Sequence, residues 1–200
     1  MSECDYYGDD DDLFMRFKLE KKGSNELIII GINPSTARGR SRHCPRSVDD
    51  KTIKRVEAFS SKNWNLSKAE KQFDGFLMLN VCAQSVSDPD MLAVENDELL
   101  HEMNKKKITE YLNELVKHQR ISVLLAYGDN IDKRKYLREN LKDIVTILKK
   151  YKVTFYRLGK LTANGNPRHP LPRTLSQLPI TTPLERISQS DSEKMKLSLF

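Results

Sequence analysis

Four short segments, each after an apolar run, gather the side chains best suited to hydrogen-bond chemistry. They are Gly31-Ile32-Asn33-Pro34-Ser35, Asn80, Tyr127-Gly128 and His169-Pro170-Leu171-Pro172. A carboxamide offers one acceptor and two donors without carrying charge, and an imidazole donates in its neutral or charged form. Each has a plain structural alternative. Asn33-Pro34-Ser35-Thr36 would equally serve as a strand-to-helix turn, Asn80 as a strand terminator bonded to backbone, and His169 as a surface-loop histidine. Asp49, Asp50 and Asp88 add carboxylates near strand ends, with a helix cap as the competing role of Asp50 and a turn as that of Asp88-Pro89. The loop from Arg38 to Arg46 carries Arg38, Arg40, Arg42, His43 and Arg46, and either grips phosphates or is solvated surface. Cys4, Cys44 and Cys82 cannot all pair and form no C-x-x-C, and His43-Cys44 has no second ligand pair at metal spacing. Neither a metal nor a cofactor is expected.

The elements that must hold these residues follow from the apolar pattern. Leu27 to Ile32, Phe76 to Val81 and Ile121 to Ala126 are short continuous apolar runs, the pattern of strands buried on both faces. Lys152 to Leu158 supplies a fourth strand, and Leu13 to Leu19 could add an edge. A helix from Asp49 or Asp50 to about Ser60 carries Ile53, Val56 and Phe59 on one side. A long helix from about Asn96 to His118 is expected to bury Leu99, Met103, Ile108, Tyr111, Leu112 and Leu115. A third, capped by Asp132, repeats Leu137, Leu141, Ile144 and Leu148 at helical spacing. Alternating strands and helices predict an α/β/α sandwich around a mostly parallel four-stranded sheet, with ligands beyond the strands' carboxyl ends. A single domain over residues 13–180 is expected, with an acidic, disordered start at 1–12 and a Ser-rich tail at 181–200.

The net charge of +6 arises despite the acidic run Asp9 to Asp12, so the remainder is more basic still and favours a polyanionic partner. No apolar run approaches the roughly 20 residues that span a bilayer, and the acidic N-terminus has the wrong charge for a signal peptide. A cytoplasmic monomer with no membrane partner is expected.

Taken in order, the four segments resemble the uracil-DNA glycosylase superfamily. Gly31-Ile32-Asn33-Pro34 fits the asparagine form of its G-x-[DN]-P motif, as in the mismatch-specific branch. Phe76 to Asn80 is similar to its strand ending in asparagine, Val123 to Gly128 to its strand ending in an aromatic-Gly pair, and His169 to Pro172 to its H-P-x-P. A closer resemblance is to the bacterial and phage family catalogued as domain of unknown function 1643. It shares Asn33 to Ala37, Asp50-Lys51-Thr52-Ile53, Ser87-Asp88-Pro89, Asn96-Asp97 and the segment Gly165 to Leu171, over about residues 14–175.

The superfamily resemblance implies cleavage of the bond between a sugar and a pyrimidine, with the nucleotide drawn out of its stack. Asn33 would position the attacking water, His169 would donate to the pyrimidine O2 as charge develops there, and Asp50 is the third catalytic candidate. Asn80 would read the imide edge, within a base pocket that includes Ile32, Pro34 and Tyr127. Ser35, Thr36, Arg38, Arg40, Arg42 and Arg168 would contact the nucleic-acid backbone, with Arg173 where the superfamily has an apolar wedge. No stacking aromatic follows the first motif, because Ser35-Thr36-Ala37 stands there. The expected function is a metal-independent glycosylase for uracil or a modified pyrimidine in DNA, or in RNA, serving repair or phage defence. The alternatives are a non-catalytic nucleotide or nucleic-acid binding protein and a hydrolase of free nucleosides or nucleotides.

Overall fold

A computed structural model describes residues 15–34, 51–61, 73–86, 88–171 and 178–199. Strand β1 is Leu19–Lys21, β2 Glu26–Gly31, β3 Gly75–Asn80, β4 Ile121–Leu125, β5 Val153–Leu158 and β6 Leu184–Arg186; helix α1 is Lys51–Ser61, α2 Glu98–Leu115, α3 Lys135–Leu148 and α4 Gln189–Lys194. The four apolar runs form the parallel centre β3-β2-β4-β5. Every residue of β2 and β3 is buried, as expected for strands covered on both faces.

The sheet is larger than four parallel strands, and it is mixed. Its order is β1-β3-β2-β4-β5-β6, with β1 antiparallel to β3 and β6 antiparallel to β5. Both added strands have three residues, Leu-Glu-Lys and Leu-Glu-Arg. Such segments are too short and too charged to give an apolar run, and charged residues suit an edge because they discourage pairing with another chain.

Strand alternation divides the core into two layers. Leu27, Ile29, Phe76, Met78, Leu124 and Ala126 pack with Val56 of α1. Ile28, Ile30, Leu77, Leu79, Val123 and Leu125 pack with Ile108 and Leu112 of α2 and with Leu137, Leu141 and Ile144 of α3. The helices therefore cover opposite faces.

The inward face of α2 differs from its apolar pattern. Leu99 is 74% exposed and Met103 40%, whereas His101, Asn104, Ile108 and Leu112 are the buried residues. The reason lies at the end of β3, where ladder partners run out and carbonyls still need donors. Asn104 Nδ2 donates to the carbonyls of Asn80 at 3.0 Å and Val81 at 3.5 Å. Satisfying those groups turns a polar stripe of the helix inward.

Asp132 does not cap α3. The N-cap is Arg134, without a side-chain capping bond, and Asp132 instead ends a 3-10 turn and accepts from Arg138 and Asn166. Beyond Thr181 the chain adds β6 and α4, whose start is a capping box between Ser188 and Asp191. Ile187, Met195, Leu197 and Leu199 enter the α2–α3 layer. These apolar residues are interspersed among Ser and Lys, so no run announces them. Among the described residues, no helix is long and apolar enough to cross a membrane.

Candidate functional site

The site grows from the carboxyl ends of three adjacent strands. Gly31 pairs with Asn80 across β2 and β3. By alternation the Asn80 side chain shares the α1 face with Phe76 and Met78. A Cβ on Gly31 would stand 2.8 Å from Asn80 Oδ1, so only glycine leaves the amide its place. Asn80 is 3% exposed, and its Nδ2 has no hydrogen-bond partner among the described residues. A buried donor left unmet costs about 1–3 kcal/mol, so an acceptor brought to this one would relieve that cost.

Backbone bonds continue past the strand ends: Val81 to Gly31 O, Cys82 to Ile32 O and Val86 to Pro34 O. They lock the two following loops together. Asn33 Nδ2 donates to the carbonyls of Pro34 at 2.9 Å and Val86 at 3.0 Å. With both donors spent on backbone, Oδ1 is the polar atom of the Asn33 side chain left to take another partner.

On the far side of β2, Ala126 N donates to Ile30 O, and Gly128 follows with φ +63°. Its N–H bonds Pro167 O at 3.0 Å, and a Cβ there would meet His169 Cβ at 3.2 Å. Positive φ and close approach together demand glycine. Strand spacing near 4.8 Å puts the ends of β3 and β4 about 10 Å apart, with β2 between them.

His169 is half-buried. The Leu171 N–H donates to Nδ1 at 3.1 Å when the neutral ring carries its proton on Nε2. Leu171 O lies at the same 3.1 Å from Nδ1 and would accept its proton in the charged ring. The loop thus supports both protonation states. From α1, Arg55 Nε reaches Pro170 O at 3.4 Å and its guanidinium also bonds Leu178 O. Behind the loop, Asn166 is fully buried and donates through Nδ2 to Asp129 at 2.9 Å and Asp132 at 3.0 Å. Its Oδ1 accepts from Arg138 at 2.8 Å.

Asn33, Pro34, Asn80 and His169 thus fall at one end of the sheet. Ile32 and Tyr127, expected in the base pocket, pack instead in the α2–α3 layer, on the face opposite Asn80. Tyr127 is 0% exposed, and burial pushes its phenol pKa up. Arg168 Nε bonds Lys160 O at 2.8 Å, tying it to the turn after β5. Asp88 accepts from Asp90 N and fills the turn role. Ser35, Thr36, Arg38, Arg40, Arg42, Asp49, Asp50 and Arg173 lie outside the described residues. Arg55, Asn104 and Asn166 were not singled out by pattern; only Asn166 carried a signal, inside the Gly-x-Pro-x-His-Pro segment.

One expectation follows at once. Gly31→Ala should push Asn80 aside and lower stability by about 1–3 kcal/mol, read as an earlier urea midpoint. An unchanged midpoint would mean that the amide has room to move.

A family model described as "Protein of unknown function (DUF1643)" matches residues 16–171, which run from the segment before β1 through His169-Pro170-Leu171. No curated protein and no solved structure matches the chain.

Proposed function

We propose that this chain, which belongs to the DUF1643 family of proteins of unknown function, is a nucleic-acid glycosylase. It hydrolyses the N-glycosidic bond of uracil or a modified pyrimidine, with DNA as the favoured polymer and RNA the second. The observation that carries the reading is Asn80, a buried amide at the mouth of the sheet whose donor has no partner among the described residues. A pyrimidine's imide edge supplies what that amide lacks, since its O4 accepts from Nδ2 while N3–H donates to an amide oxygen.

The other residues fit the same reaction. As the C1′–N1 bond breaks, its electron pair leaves with the base and positive charge grows on the sugar. His169 Nε2–H would stabilise the charge gathering on O2. Water, oriented by Asn33 Oδ1, adds hydroxide to C1′ and gives its remaining proton to the departing base. Asn33 cannot accept a proton as a carboxylate does, so the rate depends on leaving-group stabilisation. The +6 net charge suits a polyanionic substrate.

One observation favours a second reading. Both donors of Asn33 are committed to backbone carbonyls, as in a residue whose role is to hold a turn. A binding protein without catalysis would need no more. Asn80→Leu, similar in shape but without hydrogen bonds, separates base recognition from turn geometry. It is expected to lower base release at least a hundredfold under subsaturating conditions and to erase discrimination between uracil and cytosine. Release that keeps its discrimination in Asn80→Leu would remove the base-reading role.

A further inference from the structure

A cavity lies on the face of the sheet opposite the Asn80 side chain. It measures about 260 Å³ and sits between the segment after β3, the loop before α2 and the start of α3. Val81, Ala83, Leu100 and Tyr136 give it apolar walls, while Gln84, Asn96 and Asn140 give it carboxamides. Asn140 Nδ2 donates to Asn96 Oδ1 at 3.1 Å, and Gln84 Oε1 accepts from Ala93 N at 3.1 Å, so the amides are held in place. Asn96-Asp97 has no part in the proposed base-release chemistry, yet both residues line this cavity.

The feature pointing to a ligand is His101. It lines the cavity, its side chain is only 4% exposed, and its Nε2 bonds Asp143 Oδ2 at 3.0 Å. A carboxylate only accepts, so Nε2 carries the proton and Nδ1 of the neutral ring is an acceptor. That Nδ1 is buried without a hydrogen-bond partner among the described residues. A histidine oriented by a carboxylate, with its other nitrogen unmet, is arranged to receive a donor.

Charge narrows the class of ligand. Glu95 and Asp97 line the cavity and, among the described residues, no lysine or arginine does. A phosphate would meet repulsion there. We propose that this cavity binds an uncharged, nucleobase-sized nitrogen heterocycle that donates a ring N–H to His101 Nδ1. The apolar walls take the ring faces and the carboxamides take its polar edge. A pocket this size, at the small end of ligand cavities, excludes a nucleotide polymer and marks a site separate from Asn80.

Isothermal titration of the full chain with uracil, cytosine, adenine and uridine, and with uridine 5′-phosphate, tests the assignment. Uncharged forms are expected to bind, and the phosphate at least tenfold more weakly. His101→Phe should weaken binding tenfold or more, while Lys135→Ala, at an exposed position of α3 away from the cavity lining, should leave it unchanged. Because a buried substitution can unfold the chain, a second measurement uses the unaltered protein. Cys82 lines the cavity, so ligand should slow its alkylation by iodoacetamide in peptide-resolved mass spectrometry, with Cys4 and Cys44 as references. No binding by any heterocycle, equal binding of the phosphate, or an unprotected Cys82 would overturn the inference. Binding unchanged in a folded His101→Phe protein would overturn it too, by moving the ligand to the strand-end site.

Discussion

Replacing His169 with alanine is expected to slow base release by about two to three orders of magnitude while nucleic-acid affinity stays within about twofold. Removing one preorganised donor from a site where negative charge develops typically costs this much. On the proposed reading His169 is such a donor. Leu171 N–H can donate to Nδ1 at 3.1 Å, which leaves the proton on Nε2 in that tautomer, and Gly128 abuts the side chain from the β4 side. On that reading the imidazole would donate to a charge that exists mainly in the transition state, so the loss should fall on rate more than on binding. Single-turnover release and equilibrium binding, measured on the same oligonucleotide, separate the two. His169→Gln retains a donor and should recover part of the rate. A His169→Ala protein with unaltered single-turnover rate would exclude the imidazole from the chemistry.

Asn166→Ala is expected to be the most damaging substitution for the loop that carries His169, costing about 2–4 kcal/mol of stability. The fully buried side chain joins Asp129, Asp132 and Arg138, and its backbone N–H and C=O both bond Thr162. Truncation leaves those side chains without a shared partner. Burial works against ionisation of Asp132, but hydrogen bonds from Arg138 and Asn166 outweigh it and hold the carboxyl below its ordinary value. With its folded pKa depressed, Asp132 stabilises the fold above the ordinary carboxylate range, and this contribution is lost as pH falls through the lower value. Asn166→Ala removes one of the bonds responsible. Acid unfolding should therefore begin at a higher pH, and the urea midpoint at neutral pH should fall. Base release should drop as well, because Gly128 N–H bonds Pro167 O in the same segment. A urea midpoint matching the parent's would show that the network is dispensable.

The legible part of the molecule was the part written in apolar runs. Leu27 to Ile32 and Phe76 to Val81 announce β2 and β3, and the Asn-Pro and Asn that end them mark one edge of the sheet. What pattern could not show was which face each side chain takes after the run ends. Ile32 and Tyr127 are neighbours in sequence of Asn33 and Gly128, yet alternation sends their side chains to the α2–α3 core. Likewise Leu99 and Met103 look like core positions by spacing, but unmet carbonyls at the end of β3 draw Asn104 inward instead. Edge strands of three residues fall below any periodic signal. Arg55, which ties α1 to the His169 loop, is one basic residue among several in its helix; only the folded contact distinguishes it.

The central claim is that the chain releases a base. Mass spectrometry of free bases tests it most directly, using uracil-containing DNA, hypermodified phage DNA, tRNA and rRNA, with Asn33→Ala and His169→Ala as controls. A released pyrimidine is expected from at least one DNA substrate, absent or strongly reduced in both controls while they remain folded and bound to nucleic acid. Binding by the parent protein with no base released from any substrate would contradict it, and would leave the strand-end site as a recognition pocket without catalysis.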